Sequence, residues 1–358
     1  MKANTRLRAL TALALALACN RDGSPLGPAV PSFDAEGASP ASLVLHVVAP
    51  QATDPAIDRF LDNHYAWLDT TARTNHKLLV FMPGTGLTPA VYQLVQQEAA
   101  RVGYHVIGLM YPNSPGLAKV CPRDPDPAAC YENSRLEIID GIDRSPWVDV
   151  NAANSIDNRL TKLLRYLARQ YPEEDWDRFL AHDKPKWSQI AVSGHSQGGG
   201  HAAMIAKIRL VARVVMFSSV TDSLRGASVP WVATHVTPSD RYYGLDHDLD
   251  EQFRSIRASW DSLGMAAFGP AVAPENTAPP YDFTHMLVTD YHPLRGPGRA
   301  AHGASCTDFN TPLAADGTPV FRDAWRYLLT ARPGQEDRAV CAPLHCSDPA
   351  RTGRRGPR

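Results

Sequence analysis

The run Gly194-His195-Ser196-Gln197-Gly198 constrains this chain more than any other. It stands between an apolar, strand-like run, Ile190-Ala191-Val192-Ser193, and a small-residue helical run from Gly199 to Ala206. A strand that turns into a helix within a few residues brings the flanking positions against neighbouring backbone. Those positions must be nearly free of side chain, which Gly194 and Gly198 provide. Ser196 at the apex then carries an exposed hydroxyl at a helix N-terminus. There the Gln197 backbone N–H can face a developing negative charge. The motif therefore asks for an α/β framework and offers Ser196 as a candidate nucleophile.

The rest of the chain agrees with such a framework. Leu43–Val48, Lys77–Met82, His105–Tyr111, Ala212–Ser218, Arg241–Leu245 and His285–Thr289 read as strands. Val91–Val102, Ile156–Tyr171, the run after Ser196, Glu251–Leu263 and Phe321–Leu329 read as helices. In Ile156–Tyr171 the residues Leu160, Leu163, Leu164 and Leu167 recur at helical spacing, and Asn154 or Ser155 can cap its start. Strands alternating with helices predict a mostly parallel sheet covered on both faces, with reactive groups at the carboxyl ends of the strands. Residues 112–153, rich in proline and holding two cysteines, read as an insertion that roofs the cleft. Residues 43–332 read as a single domain.

The chain begins with Lys2, Arg6 and Arg8, followed by the apolar run Ala9–Ala18, too short to span a bilayer. Ala16-Leu17-Ala18 fits a small-x-small cleavage site, so residues 1–18 read as a signal peptide. Cys19 resembles the lipidation site of bacterial lipoproteins, although Ala16 stands where a leucine is usual. A lipid anchor at Cys19 and free secretion both remain open. Residues 19–42 read as a flexible tether, and 333–358 as a C-terminal extension and tail. Export permits disulfides. Cys121 and Cys130 bracket a proline-rich loop, 122–127, that the prolines keep from being helical, and a bridge would staple it. Cys341 and Cys346 could also pair; Cys306 is then left over, or pairs with one of them. No Cys-x-x-Cys occurs, so zinc is not expected. The 36 basic and 37 acidic residues give a net charge of −1, which does not suit nucleic acid or an anionic membrane surface.

The motifs together resemble the α/β-hydrolase superfamily, and within it a group of secreted bacterial α/β hydrolases. The residues carrying the resemblance are Pro83-Gly84-Thr85-Gly86, Gly194 to Gly200, and Thr311-Pro312 through Val320-Phe321 to Trp325-Arg326-Tyr327. It covers about residues 43–332. It implies a monomeric serine hydrolase that cleaves a small or polymeric carboxylic ester through an acyl-enzyme, with no cofactor. Amide or peptide cleavage, or a catalytically dead fold used for surface binding, are the alternatives.

A serine hydroxyl needs a base, and the superfamily order is serine, acid, histidine. His302 lies in a long loop before the last helix, where the superfamily places its base. His285 begins a strand and His292 precedes a turn proline, so neither suits the role. Asp250 closes the segment after the Arg241–Leu245 strand and is the first choice of acid. Asp240 takes that place if Trp231–Val236 is the strand, Asp222 if the acid follows the preceding strand, and Asp248 is a further option. By the same resemblance Thr85 gives the second oxyanion N–H beside Gln197. His201 reads as packed, and Tyr111-Pro112-Asn113 as a possible cleft wall.

Overall fold

The computed structural model describes residues 42–296 and 299–332. The signal segment, Cys19, the tether up to residue 41, Cys341, Cys346 and the C-terminal tail lie outside the described residues. Eight strands form the central sheet: β1 (Leu43–Val48), β2 (His64–Asp69), β3 (Leu78–Met82), β4 (His105–Gly108), β5 (Ile190–His195), β6 (Arg213–Phe217), β7 (Tyr242–His247) and β8 (Met286–Thr289). Their order is β1-β2-β4-β3-β5-β6-β7-β8. Only β2 runs against its neighbours; the other pairings are parallel. The architecture is mixed α/β with a mostly parallel sheet.

Side-chain alternation along the strands builds two cores. Leu78, Val80 and Met82 point into one, and Leu79 and Phe81 into the other. The second core is covered by α1 (Gln93–Arg101) and, late in the chain, by Arg322–Thr330. The first is covered by α2 (Pro127–Asp140), α3 (Ile156–Gln170), α4 (Gln197–Ile208) and α5 (Phe253–Ser262). The Arg322–Thr330 helix is α7 and follows the short α6 (Ala300–Ala304); two single-turn helices, Pro50–Thr53 and Leu117–Val120, lie earlier in the chain. The Ser155 hydroxyl caps α3 by accepting the Asn158 N–H. Ile156, Leu160, Leu163, Leu164 and Leu167 are then buried along one stripe. Each such side chain taken out of water stabilises by about 1.5–3 kcal/mol.

Several expectations need correction. Strand β2 has a polar residue at each end and no long apolar run, so its sequence does not announce it; pairing with β1 and β4 holds it in place. The 112–153 segment is largely helical. Asp126 accepts the Ala129 N–H, and Pro127 occupies the first turn of α2, where its missing N–H costs nothing. Pro127 therefore starts a helix rather than forbidding one, residues 124–126 stay outside it, and Cys130 lies inside α2. Cys121 and Cys130 are joined by a disulfide with Cα atoms 5.4 Å apart, while Cys306 is buried and has no disulfide partner among the described residues. His302 sits on a short helix, not in an open loop. Residues 230–233 form a 3₁₀ turn, not a strand. Among the described residues no helix is long and apolar enough to cross a membrane.

Leu164→Ala is expected to lower the stability seen in urea denaturation by about 2–5 kcal/mol, and Ser155→Ala by about 1 kcal/mol. A cost near zero for Leu164→Ala would contradict the burial of this stripe. The disulfide should contribute about 2–3 kcal/mol. Non-reducing peptide mapping of exported protein checks it by recovering Cys121 and Cys130 as one linked pair.

Candidate active site

The end of β5 passes into α4 through Ser196, whose backbone sits at φ 53°, ψ −120°. For a residue with a side chain that conformation costs on the order of 1–3 kcal/mol and persists only where its surroundings enforce it. Here they do. The Ser196 N–H donates to the Phe217 carbonyl at 2.9 Å, and the Ser196 carbonyl accepts the Ser219 hydroxyl at 2.8 Å. The turn lies tight against the end of β3. A Cβ on Gly194 would stand 2.6 Å from the Met82 carbonyl oxygen, and one on Gly198 would overlap that same oxygen.

The turn aims Ser196 at His302. The Ser196 hydroxyl donates to His302 Nε2 at 2.8 Å, and His302 Nδ1–H donates to Asp250 Oδ2 at 2.6 Å. A carboxylate can only accept, so the tautomer is set with the proton on Nδ1. The other Asp250 oxygen accepts the Gln252 N–H at 2.8 Å. Burial works to raise the Asp250 carboxyl, but the His302 hydrogen bond and charge outweigh it and hold the group below its usual range. Asp250, Glu251 and His302 offer three ligand atoms within 4.8 Å of one another. The Nδ1 lone pair a metal would need is tied up by its proton.

The alternative acids stand elsewhere. Asp240 lies in the 3₁₀ turn Ser239–Arg241, at the amino end of β7, the wrong edge of the sheet. Asp222 is bound by Arg135, whose Nε and Nη2 donate to its two oxygens at 2.7 and 2.5 Å, and by the Trp231 indole N–H at 3.0 Å. Asp248 is turned to the His247 ring. His285 is buried between Tyr243 and Phe268, and His292 is exposed. His201 is packed edge-on to Tyr111.

The turn after β3 is held from below. Tyr111 O–H donates to the Pro83 carbonyl at 2.9 Å, and Asn113 Nδ2 donates to the carbonyls of Gly84 and Leu87 at 2.8 and 2.7 Å. Tyr111 and Asn113 thus brace this turn instead of lining the cleft. The Thr85 hydroxyl donates to Gln197 Oε1 at 3.3 Å, which also accepts the Leu117 N–H at 2.7 Å. Thr85 and Gln197 are therefore side by side at the elbow. Among the described residues neither backbone N–H has a hydrogen-bond partner.

Two supports escaped the sequence. His195 Nε2–H donates to the His302 carbonyl at 2.9 Å, which leaves Nδ1 to accept the Tyr92 hydroxyl at 2.9 Å. Tyr92 in turn accepts the Gly84 N–H at 3.1 Å. One chain of hydrogen bonds so joins the Pro83-Gly84 turn, the elbow and His302. Burial, and then the His302 charge, depress His195 to about 3, so it stays neutral. Arg135 donates Nη1–H to the Gln197 carbonyl at 3.0 Å and lies against α4 where Gly200 leaves room. His195 was visible inside the motif; Arg135, in the segment read as a roofing insertion, carried no signal.

The cleft beside Ser196 has a volume of about 310 Å³ and includes Leu87, Arg299, Thr307, Phe309 and Asn310 in its walls. No residue of 112–153 lines it, so that segment supports the elbow helix and is not its roof. No protein-family model matches the chain, and no curated protein matches it.

Removing one partner of the buried Arg135–Asp222 pair leaves an uncompensated charge. Asp222→Ala is expected to destabilise by about 3–5 kcal/mol in urea denaturation; a loss under about 1 kcal/mol would contradict the pairing. His195 makes the fold sensitive to acid. Its folded pKa lies below the ordinary 6.5, so its contribution is complete above pH 6.5 and is lost as pH falls towards 3. Between those limits His195→Gln should lessen the slope of stability against pH by about 1.4 kcal/mol per unit. Equal slopes would show that His195 titrates normally.

Proposed function

We propose that the chain is an exported serine hydrolase of the α/β-hydrolase superfamily that cleaves carboxylic esters through an acyl-enzyme. The observation that carries the reading is the continuous line from the Ser196 hydroxyl through His302 to Asp250. The mostly parallel sheet, with β5 running into the turn and Asp250 just beyond β7, is in keeping with it. Export rests on the residues of the amino-terminal segment, and the Cys121–Cys130 bridge suits an oxidising compartment.

In the proposed reaction Ser196 Oγ attacks the ester carbonyl while His302 Nε2 takes its proton. The carbonyl oxygen, now negative, accepts the Thr85 and Gln197 N–H groups at the amino end of α4. The bond to the alcohol breaks as His302 returns the proton to the departing oxygen, leaving an acyl group on Ser196. Water, deprotonated by His302, attacks that acyl group; the bond to Ser196 Oγ breaks as His302 returns the proton to that oxygen, and the acid is released. Asp250 stabilises the imidazolium in both halves and keeps its ring oriented. A cleft of about 310 Å³ favours short acyl groups.

Hydrolysis of p-nitrophenyl esters of graded chain length tests the proposal. The short esters should be turned over. Ser196→Ala and His302→Ala should each remove turnover, and the double variant should be scarcely worse, since nucleophile and base act as a unit. Asp250→Asn should lower kcat on the order of 10⁴-fold, with the melting temperature little changed. Folded wild-type protein that is inert across the panel would favour a binding protein on a dead hydrolase fold. Faster cleavage of matched amides would make it an amidase.

A further inference from the structure

We propose that Asp246 is an un-ionised carboxylic acid at neutral pH and that its O–H donates a hydrogen bond to the Asp250 carboxylate, which makes it a positioning residue behind the base. The proposal rests on the role of Asp250 given above and adds a fourth side chain to the line.

Asp246 is the penultimate residue of β7 and is wholly buried. Neither of its carboxyl oxygens meets an N–H or O–H in hydrogen-bonding geometry among the described residues. Its carboxyl lies close enough to that of Asp250 for each to shift the proton affinity of the other. Two ionised carboxylates cannot lie so close away from water, because their repulsion and desolvation add. One of them must hold a proton. Asp250 already accepts the His302 and Gln252 N–H groups on its two oxygens, so the negative charge belongs there. The proton belongs on Asp246, whose oxygens feel only the weaker pull of the His247 amide and the Ser218 hydroxyl.

Among the described residues, the neighbours on the adjacent strands bring no cation to reverse this. On the β8 side the register partner of Asp246 is Val288. On the β6 side the ladder has ended at Leu245, and Ser218 follows, its hydroxyl 3.0 Å from that of Ser305. Towards α6 the ionisable group is His302, which already serves Asp250. Burial, and next the Asp250 charge, push the Asp246 carboxyl far up, against a weaker pull from the His247 amide and the Ser218 hydroxyl. A third donor on Asp250 restricts rotation of its carboxylate and tempers its basicity. The Nδ1 proton then stays with the imidazole when His302 becomes charged.

Infrared spectroscopy and pH–rate profiles of wild type, Asp246→Asn and Asp246→Leu test this. At pH 8 the wild type should show the carbonyl stretch of an un-ionised carboxylic acid, absent from Asp246→Asn. Asp246→Leu should lose about 10-fold or more in kcat with KM little altered, and Asp246→Asn, which keeps a donor, should recover most of that loss. The acid limb of kcat/KM should keep its midpoint in Asp246→Asn. If Asp246 were instead ionised, removing its charge would move that midpoint down by about one unit. A missing carbonyl band, a lowered midpoint, or full activity in Asp246→Leu overturns the proposal. The infrared arm needs no turnover, so it still decides the protonation state if Ser196 proves inert; that failure would belong to the proposed function alone.

Discussion

The site depends on how closely the elbow lies against the carboxyl end of β3. The Met82 carbonyl leaves no room for a side chain at Gly198 and little at Gly194. That proximity brings Gln197 beside Thr85 and lets the His195 ring reach both the Tyr92 hydroxyl and the His302 carbonyl. It also obliges Ser196 to adopt a backbone conformation that a side chain disfavours. Two apolar cores, one on each face of the sheet, hold the strands rigid enough to enforce that conformation. The serine is thus positioned by the packing of the sheet and not by its own preference.

Three buried aspartates near the carboxyl edge of the sheet show how environment divides one residue type among different tasks. Asp222 meets a guanidinium and serves as a structural anion that anchors Arg135, which ties α2 to the elbow helix. Asp250 meets an imidazole N–H and a backbone amide, and carries its charge towards His302. Asp246 meets neither and sits against Asp250. The identity of the donor, more than depth of burial, separates these roles, because all three are almost fully enclosed.

What could be read from the sequence followed from strong local patterns. The elbow, the leucine stripe of α3 and the apolar runs of β1, β3, β5 and β6 each have a period or composition that allows one structure. Boundaries moved by one or two residues in α1, β7 and α5, where the pattern weakens before the element ends. Strand β2 was hidden because its stability comes from partners far away in sequence. Helix α2 was hidden because proline reads as a breaker, although at the first turn it is a starter. In the candidate site, Ser196 was legible from turn chemistry, and His302 and Asp250 only from the order that the family resemblance implies. Asp240 and Asp222 could be set aside only once β7 was bounded and Arg135 was seen beneath the elbow. The Tyr92–His195 link joins residues about a hundred positions apart, and no local pattern marks it.

The central claim is that Ser196 is an activated nucleophile. Activation requires its hydroxyl to reach His302, the His302 tautomer to be set by Asp250, and two free N–H groups to wait at the carbonyl oxygen. The most direct measurement is intact mass and peptide mapping after exposure of the folded wild-type protein to a fluorophosphonate. The account predicts a single adduct, on Ser196, that is absent from Ser196→Ala and strongly slowed in His302→Ala. A folded protein that takes up no label, or takes it up at another serine, would contradict it.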